Sequence, residues 1–207
     1  MLVDMHTHTR FGSNCSYMEP AELARAAQAA GLGAVCITEH DLPWSAHDLG
    51  ALGREQGFLY LGGMEVATDL GSVLVYGYAG PVSERAVDLR RQVVAAGGYL
   101  VAAHPFRRDP QWAVWNVAAE LVRPLFHLVD ALEAFNGSSP RLEAEFGLEV
   151  ARRLGLPVIG GSDSHAPHTV GRCVTVFERA IASEADLLAE LRAGRYRAEH
   201  RVLGLST

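Results

Sequence analysis

Short apolar segments alternate with amphipathic segments along the chain, and this alternation restricts the possible folds more than any other feature of the sequence. The apolar segments are typical of strands, and the amphipathic ones are bounded by residues common at helix ends. Strands are predicted at 2–6, 34–38, 59–66, 73–78, 99–103, 129–135, 157–160 and 172–177, and helices at 20–30, 83–96, 143–154 and 183–193. Such alternation predicts an α/β fold with a largely parallel sheet.

The pattern alone does not separate an open sheet from a closed barrel. An open-sheet nucleotide-binding protein would be expected to carry a glycine fingerprint after its first strand, and neither GxGxxG nor GxxxxGK[ST] occurs here. We therefore favour a barrel. With 207 residues, 49% of them hydrophobic, the chain is predicted to form a single domain, 1–207.

Composition restricts the possible partners. The net charge is −6, every basic residue is arginine, and the arginines are scattered, so a stable nucleic-acid partner is not expected. The apolar segments are too short to span a membrane. Three cysteines without CxxC spacing predict no disulfide framework and favour a reducing, cytoplasmic location. Oligomeric state cannot be predicted.

Residues that commonly bind metals occur at the downstream ends of the predicted strands. They are His6, His8, His40, Glu65, His104, Asp163 and His165. In a parallel α/β barrel these strand ends share one rim, where active sites are built. We therefore expect these side chains to converge.

The HTH segment at residues 6–8 is the clearest element of this set. Alternate residues of a strand point to the same side, so His6 and His8 would present two imidazoles to one point. Alone, the pair could equally be hydrogen-bonded polar residues of a barrel interior. With the other strand-end residues, it predicts a nitrogen and carboxylate donor set too large for one ion, and two or three divalent metals (Zn, Mn or Fe) fit it.

The segments DMHTH, ITEHD, GMEV, AHPF and GSDSH, in this order, resemble the motifs of the PHP (polymerase and histidinol phosphatase) family of metal-dependent phosphoesterases, in its short stand-alone form. The resemblance implies a distorted (β/α)7 TIM-like barrel with up to three metals at its rim. It also implies that a metal-bound hydroxide attacks phosphorus. The agreement extends over essentially the whole chain.

Carried over residue by residue, the resemblance implies a first metal held by His6, His8, Glu65 and Asp163. Glu65 would bridge to a second metal that His104 also holds. The third metal would use His40, His165 and a residue of the loop after HTH, where Asn14 is the nearest candidate in place of the usual Asp or His. Leu74 stands where many short members have a further histidine.

Several residues are candidates for substrate contacts. Arg107, directly after HPF, is predicted to act in catalysis with Asp163 and to bind the substrate phosphate. Arg10, Arg172 and His168 are weaker candidates for substrate binding, since plain surface arginines and, for His168, a loop cap are the preferred explanations. Trp112 and Trp115 would form a lid or pack within a helix.

The leading hypothesis is a metal-dependent phosphoesterase acting on a small phosphomonoester or a nucleotide-type phosphate. The alternatives are a metal-dependent amidohydrolase or lactonase and a non-catalytic metal-binding regulatory module. Binuclear amidohydrolases often bridge their metals with a carboxylated lysine, and this chain contains no lysine.

Overall fold

The strands form one nine-stranded sheet that curls into a nearly closed barrel. The computed structural model describes residues 1–107 and 116–201. The strands are β1 (Leu2–Thr7), β2 (Ala34–His40), β3 (Leu59–Thr68), β4 (Gly71–Tyr76), β5 (Tyr99–Ala102), β6 (Ala131–Asn136), β7 (Val158–Gly161), β8 (Cys173–Phe177) and β9 (Tyr196–His200). The α-helices are α1 (Pro20–Ala29), α2 (Ala46–Gln56), α3 (Ala86–Ala95), α4 (Val117–Glu120), α5 (Arg141–Leu154) and α6 (Glu184–Ala193).

The sheet order is β7-β6-β5-β4-β3-β2-β1-β8-β9. The seam between β1 and the end of β7 is joined by a parallel bridge between Thr7 and Ser164. Two backbone hydrogen bonds reinforce it, from Asp163 N to His6 O at 2.7 Å and from His8 N to Ser164 O at 3.0 Å. The seven strands β1–β7 thus form the distorted TIM-like barrel that was expected, with β8 and β9 continuing the sheet beyond it.

Strand direction departs from the prediction at three places. β4 runs antiparallel to both neighbours because a tight turn after Thr68 returns the chain directly beside β3. β8 and β9 are also antiparallel to their partners. β9 was not predicted, since it is a partly exposed edge strand rich in charge, and α2 was not predicted either.

Apolar side chains fill the barrel below the rim. A buried cluster includes Met5, Leu74, Tyr76, Val101 and Ile159. Leu74, at the position where a further ligand was considered, pairs with Glu65 across β3 and β4 and belongs to this cluster. The barrel is therefore a packed core that supports polar groups at its rim.

Trp112 and Trp115 lie outside the described residues, so their two interpretations stay predictions. Among the residues that the structure covers, no helix has both the length and the apolar character needed to cross a membrane.

Candidate metal centre

Four side chains from three strand ends converge at the barrel rim. His6 Nε2 and His8 Nε2 are 3.0 Å apart. Glu65 Oε2 lies 3.3 Å from His6 Nε2 and 3.4 Å from His8 Nε2, and Asp163 Oδ1 lies 3.5 and 3.3 Å from the same two atoms. The structure thus brings together the four residues expected around a first metal.

These spacings fit a single ion. Ligand atoms at zinc-type bond lengths in a tetrahedral arrangement lie about 3.4 Å from one another, and the five distances range from 3.0 to 3.5 Å. The two imidazoles are fully buried, and the two carboxylates are nearly so. Buried carboxylates this close together need a compensating cation, so the donor set suits a divalent metal.

Buried partners fix the orientation of both histidines. Glu133 Oε1 lies 2.9 Å from His6 Nδ1. Because a carboxylate accepts hydrogen bonds, Nδ1 carries the proton and the Nε2 lone pair faces the centre. His8 Nδ1 contacts Ser13 Oγ at 3.0 Å, and Ser13 in turn donates to Glu39. Neither glutamate was among the functional residues predicted from the sequence.

The opposite oxygen of Glu65 serves a second cluster. Its Oε1 lies 2.9 Å from His104 Nε2. Potential ligand atoms of His6, His104 and Asp163 also lie within 4.8 Å of one another. Glu65 is therefore placed between two groups of nitrogen ligands, as a bridging carboxylate would be.

Two of these residues adopt unusual backbone conformations. His104 has φ of 29° and Asp163 has φ of 50°, in a region that non-glycine residues seldom occupy. Such conformations cost free energy and cluster at functional sites. Next to Asp163, Gly161 permits close approach of the strands, since a Cβ there would lie 2.5 Å from the Cβ of His6.

A third cluster contains His8, His40 and His165. The rings of His40 and His165 each stack against the ring of His8, at centroid distances of 4.6 and 4.5 Å. The loop after HTH contributes Cys15, whose Sγ lies 3.4 Å from His40 Nε2 and 3.1 Å from His165 Nε2. Asn14, the loop candidate from the sequence, is exposed. The loop side chain in contact with this cluster is thus Cys15.

The electrostatics of the rim favour positive charge. Burial lowers the pKa of His6, but the charges of Glu133 and the other nearby carboxylates outweigh it and raise this pKa well above its ordinary value. Burial would raise the pKa of Asp163, yet His6, His8 and Arg107 hold it well below its usual range. Partial desolvation and the nearby carboxylates raise the pKa of the Cys15 thiol, although this residue is exposed.

A cleft of about 580 Å³ opens over these residues. Arg107 lines it, and its guanidinium donates to both Asp163 and Asn136. Its Nε is buried and has no hydrogen-bond partner among the described residues. Arg123, which sequence analysis did not single out, also lines the cleft, while it donates to the Pro105 carbonyl at 2.8 Å.

The other predicted substrate contacts lie apart from this cleft. Arg10 is exposed and pairs with Glu19 at 2.8 Å. His168 is exposed in a short 3-10 helix, Pro167–Thr169. Arg172 is partly buried just before β8. None of the three is among the described residues that line the cleft.

The family model for PHP-associated sequences matches residues 144–196. The resemblance to the PHP family is confirmed. PsfC from Pseudomonas syringae is similar to this chain, with a TM-score of 0.68, 21% identity and coverage of 97% of this chain and 91% of that one. No curated protein matches the chain significantly.

Two further solved structures resemble this chain. An amidohydrolase from Chromobacterium violaceum, solved with bound sulfate and no metal, has a TM-score of 0.68 and 19% identity over 96% of this chain and 97% of that one. A protein from Bifidobacterium adolescentis, provisionally named a metal-dependent phosphoesterase, has a TM-score of 0.58 and 20% identity over 80% and 88%. At these identities the likeness establishes the fold.

Proposed function

We propose that this protein is a metal-dependent phosphoesterase acting on a small phosphomonoester or a nucleotide-type phosphate. The observation that carries the proposal is the position of Arg107, whose side chain lines the same cleft as Glu65, His104 and Asp163. A guanidinium beside a cation cluster suits a tetrahedral dianion, since both attract its oxygens.

Two or three divalent metals would be the cofactors. His6, His8, Glu65 and Asp163 would hold the first ion, and Glu65 and His104 would hold the second. His40 and His165 would contribute to a third. Bound metals would supply Lewis-acid polarisation of the phosphoryl group and lower the pKa of water.

The chain's own residues would orient the substrate. The guanidinium of Arg107 would donate to a non-bridging phosphate oxygen while its NH2 group keeps Asp163 in place. Glu133 and the pair of Ser13 and Glu39 would hold the Nδ1 protons of the two HTH histidines, so that both Nε2 atoms stay available. The cleft volume suits a small leaving group.

Metal content and turnover test this proposal together. The purified protein would be analysed for bound elements and then assayed with phosphomonoesters, amides and lactones in the presence of Mn, Zn or Fe. We expect phosphomonoester turnover that a chelator abolishes and added metal restores. Absence of phosphoester turnover in protein holding two or more metals would overturn the proposal, and turnover of an amide or lactone alone would favour the amidohydrolase alternative.

A further inference from the structure

The third cluster contains a sulfur atom, which distinguishes it from the other two. Cys15 Sγ lies 3.1 Å from His165 Nε2 and 3.4 Å from His40 Nε2. Ligand atoms that share one ion at zinc-type bond lengths lie about 3 to 3.6 Å apart. We propose that Cys15, His40 and His165 form a mixed thiolate and imidazole metal site, with Cys15 as its loop ligand.

The hydrogen bonds of His165 support this assignment. Its Nδ1 lies 3.0 Å from the Asp163 carbonyl oxygen. A carbonyl only accepts, so Nδ1 carries the proton and Nε2 presents its lone pair to the Cys15 sulfur. The thiol must then donate to His165, and a cation that displaces this single proton would gain a thiolate and an imidazole together.

His40 is held in a comparable way. Its Nδ1 faces Glu65 Oε2 at 3.3 Å, and its Nε2 faces Cys15. The same carboxylate oxygen lies in the first cluster, so the sulfur-containing site adjoins the nitrogen and oxygen site through Glu65. Cys15 is the exposed cysteine, whereas Cys36 and Cys173 are buried in the core.

Donor chemistry gives the two sites different preferences. Thiolate with imidazole favours Zn, Fe(II) or Co(II) over Mn or Mg, which prefer oxygen ligands. The inference rests on the metal centre of the proposed function, but it does not depend on which bond the enzyme hydrolyses.

Cobalt spectroscopy tests the site directly. The chelator-stripped full chain would be titrated with Co(II), while near-ultraviolet sulfur-to-cobalt charge transfer and the number of bound ions are recorded. We expect one bound cobalt to give this band in the wild type. Cys15→Ala should lose the band and weaken that ion by about 10-fold or more, since even residues outside the ligand shell alter affinity 10- to 100-fold.

Two further variants serve as controls for the cobalt titration. Cys15→Asp should retain the ion without the band, and Asn14→Ala, at the neighbouring exposed position, should leave the band unchanged. Cys15→Ala keeps the thiols of Cys36 and Cys173, so a band that persists in this variant would overturn the inference. Circular dichroism would verify that each variant is folded.

The outcomes separate the two proposals. Cobalt binding without a charge-transfer band would overturn the sulfur site and leave the phosphoesterase proposal standing. A Cys15-dependent band in a protein that hydrolyses no phosphoester would support the sulfur site and overturn the proposed function. Absence of any cobalt binding would overturn both.

Discussion

Replacing Glu133 with Gln should weaken metal binding although Glu133 is not itself one of the proposed ligands. Its Oε1 accepts from His6 Nδ1 at 2.9 Å, and its Oε2 accepts from the His104 backbone N–H at 2.8 Å and from Asn136 Nδ2 at 3.0 Å. The carboxylate therefore accepts hydrogen bonds at both oxygens from three donors. Glutamine has the same shape but only one accepting atom.

The side-chain amide of glutamine can satisfy either His6 or the pair of His104 and Asn136, but not both at once. With its NH2 group towards His6, it keeps the bonds to His104 and Asn136, but His6 must accept at Nδ1 and carry its proton at Nε2, where an ion would bind. With its oxygen towards His6, the NH2 group faces two donors. Leaving a buried donor unpaired costs about 1 to 3 kcal/mol, so binding an ion should become about 10- to 100-fold weaker.

Metal affinity would be measured by competition with a chromophoric chelator, for the wild type and for Glu133→Gln. Glu190→Gln is a matched control, because Glu190 is also a buried glutamate but lies in α6 and pairs with Arg195, away from the rim. We expect the control to keep wild-type affinity. Equal affinity in Glu133→Gln and the wild type would refute the argument that this carboxylate sets the His6 tautomer.

Four shorter predictions follow from the same geometry. Asp163→Ala should abolish activity and occupancy of the first site, as elemental analysis would reveal; unchanged turnover would contradict this role. Arg107→Ala should raise KM for phosphomonoesters by about 10-fold or more while metal content is kept, since it removes a charge-assisted donor, and steady-state kinetics would detect it. Gly161→Ala should destabilise the fold by about 1 to 3 kcal/mol in denaturant titrations because its methyl group meets His6, whereas Gly50→Ala, in an open helical position, should be neutral or stabilising. In metal-free protein, the raised pKa of His6 contributes stability that is fully present below about pH 6.5 and is lost as the pH rises through the folded-state pKa. A melting temperature that increases steadily as the pH rises would argue against this prediction.

The spacing of apolar residues along the sequence, together with the residue types, was sufficient to predict most of the fold. All eight predicted strands are present, because each is a short apolar segment between helices or turns. The partly exposed, charged β9 has no such signal, since its edge position follows from pairing with β8. The direction of β4 depends on a tight turn, which the strand pattern does not reveal.

The candidate site was predictable where regular structure dictates position. His6, His8 and Glu65 are placed by strand alternation, and His104 and Asp163 each lie two residues after the end of a strand. In the loop after β1, by contrast, spacing does not reveal which side chain turns inward, so Asn14 was considered and Cys15 is found beside His40. The outward pairing of Arg10 with Glu19 likewise depends on the fold of this loop.

The barrel seam has a consequence for folding. His6 and Asp163 are joined by a backbone hydrogen bond at that seam and also face the same proposed ion, although most of the chain separates them in sequence. An ion held there would act as a removable cross-link between the first and last barrel strands. Since cross-links that close long loops restrict the unfolded chain most strongly, metal supply would control how long the barrel resists opening, and opening would begin at this seam once the ion is lost.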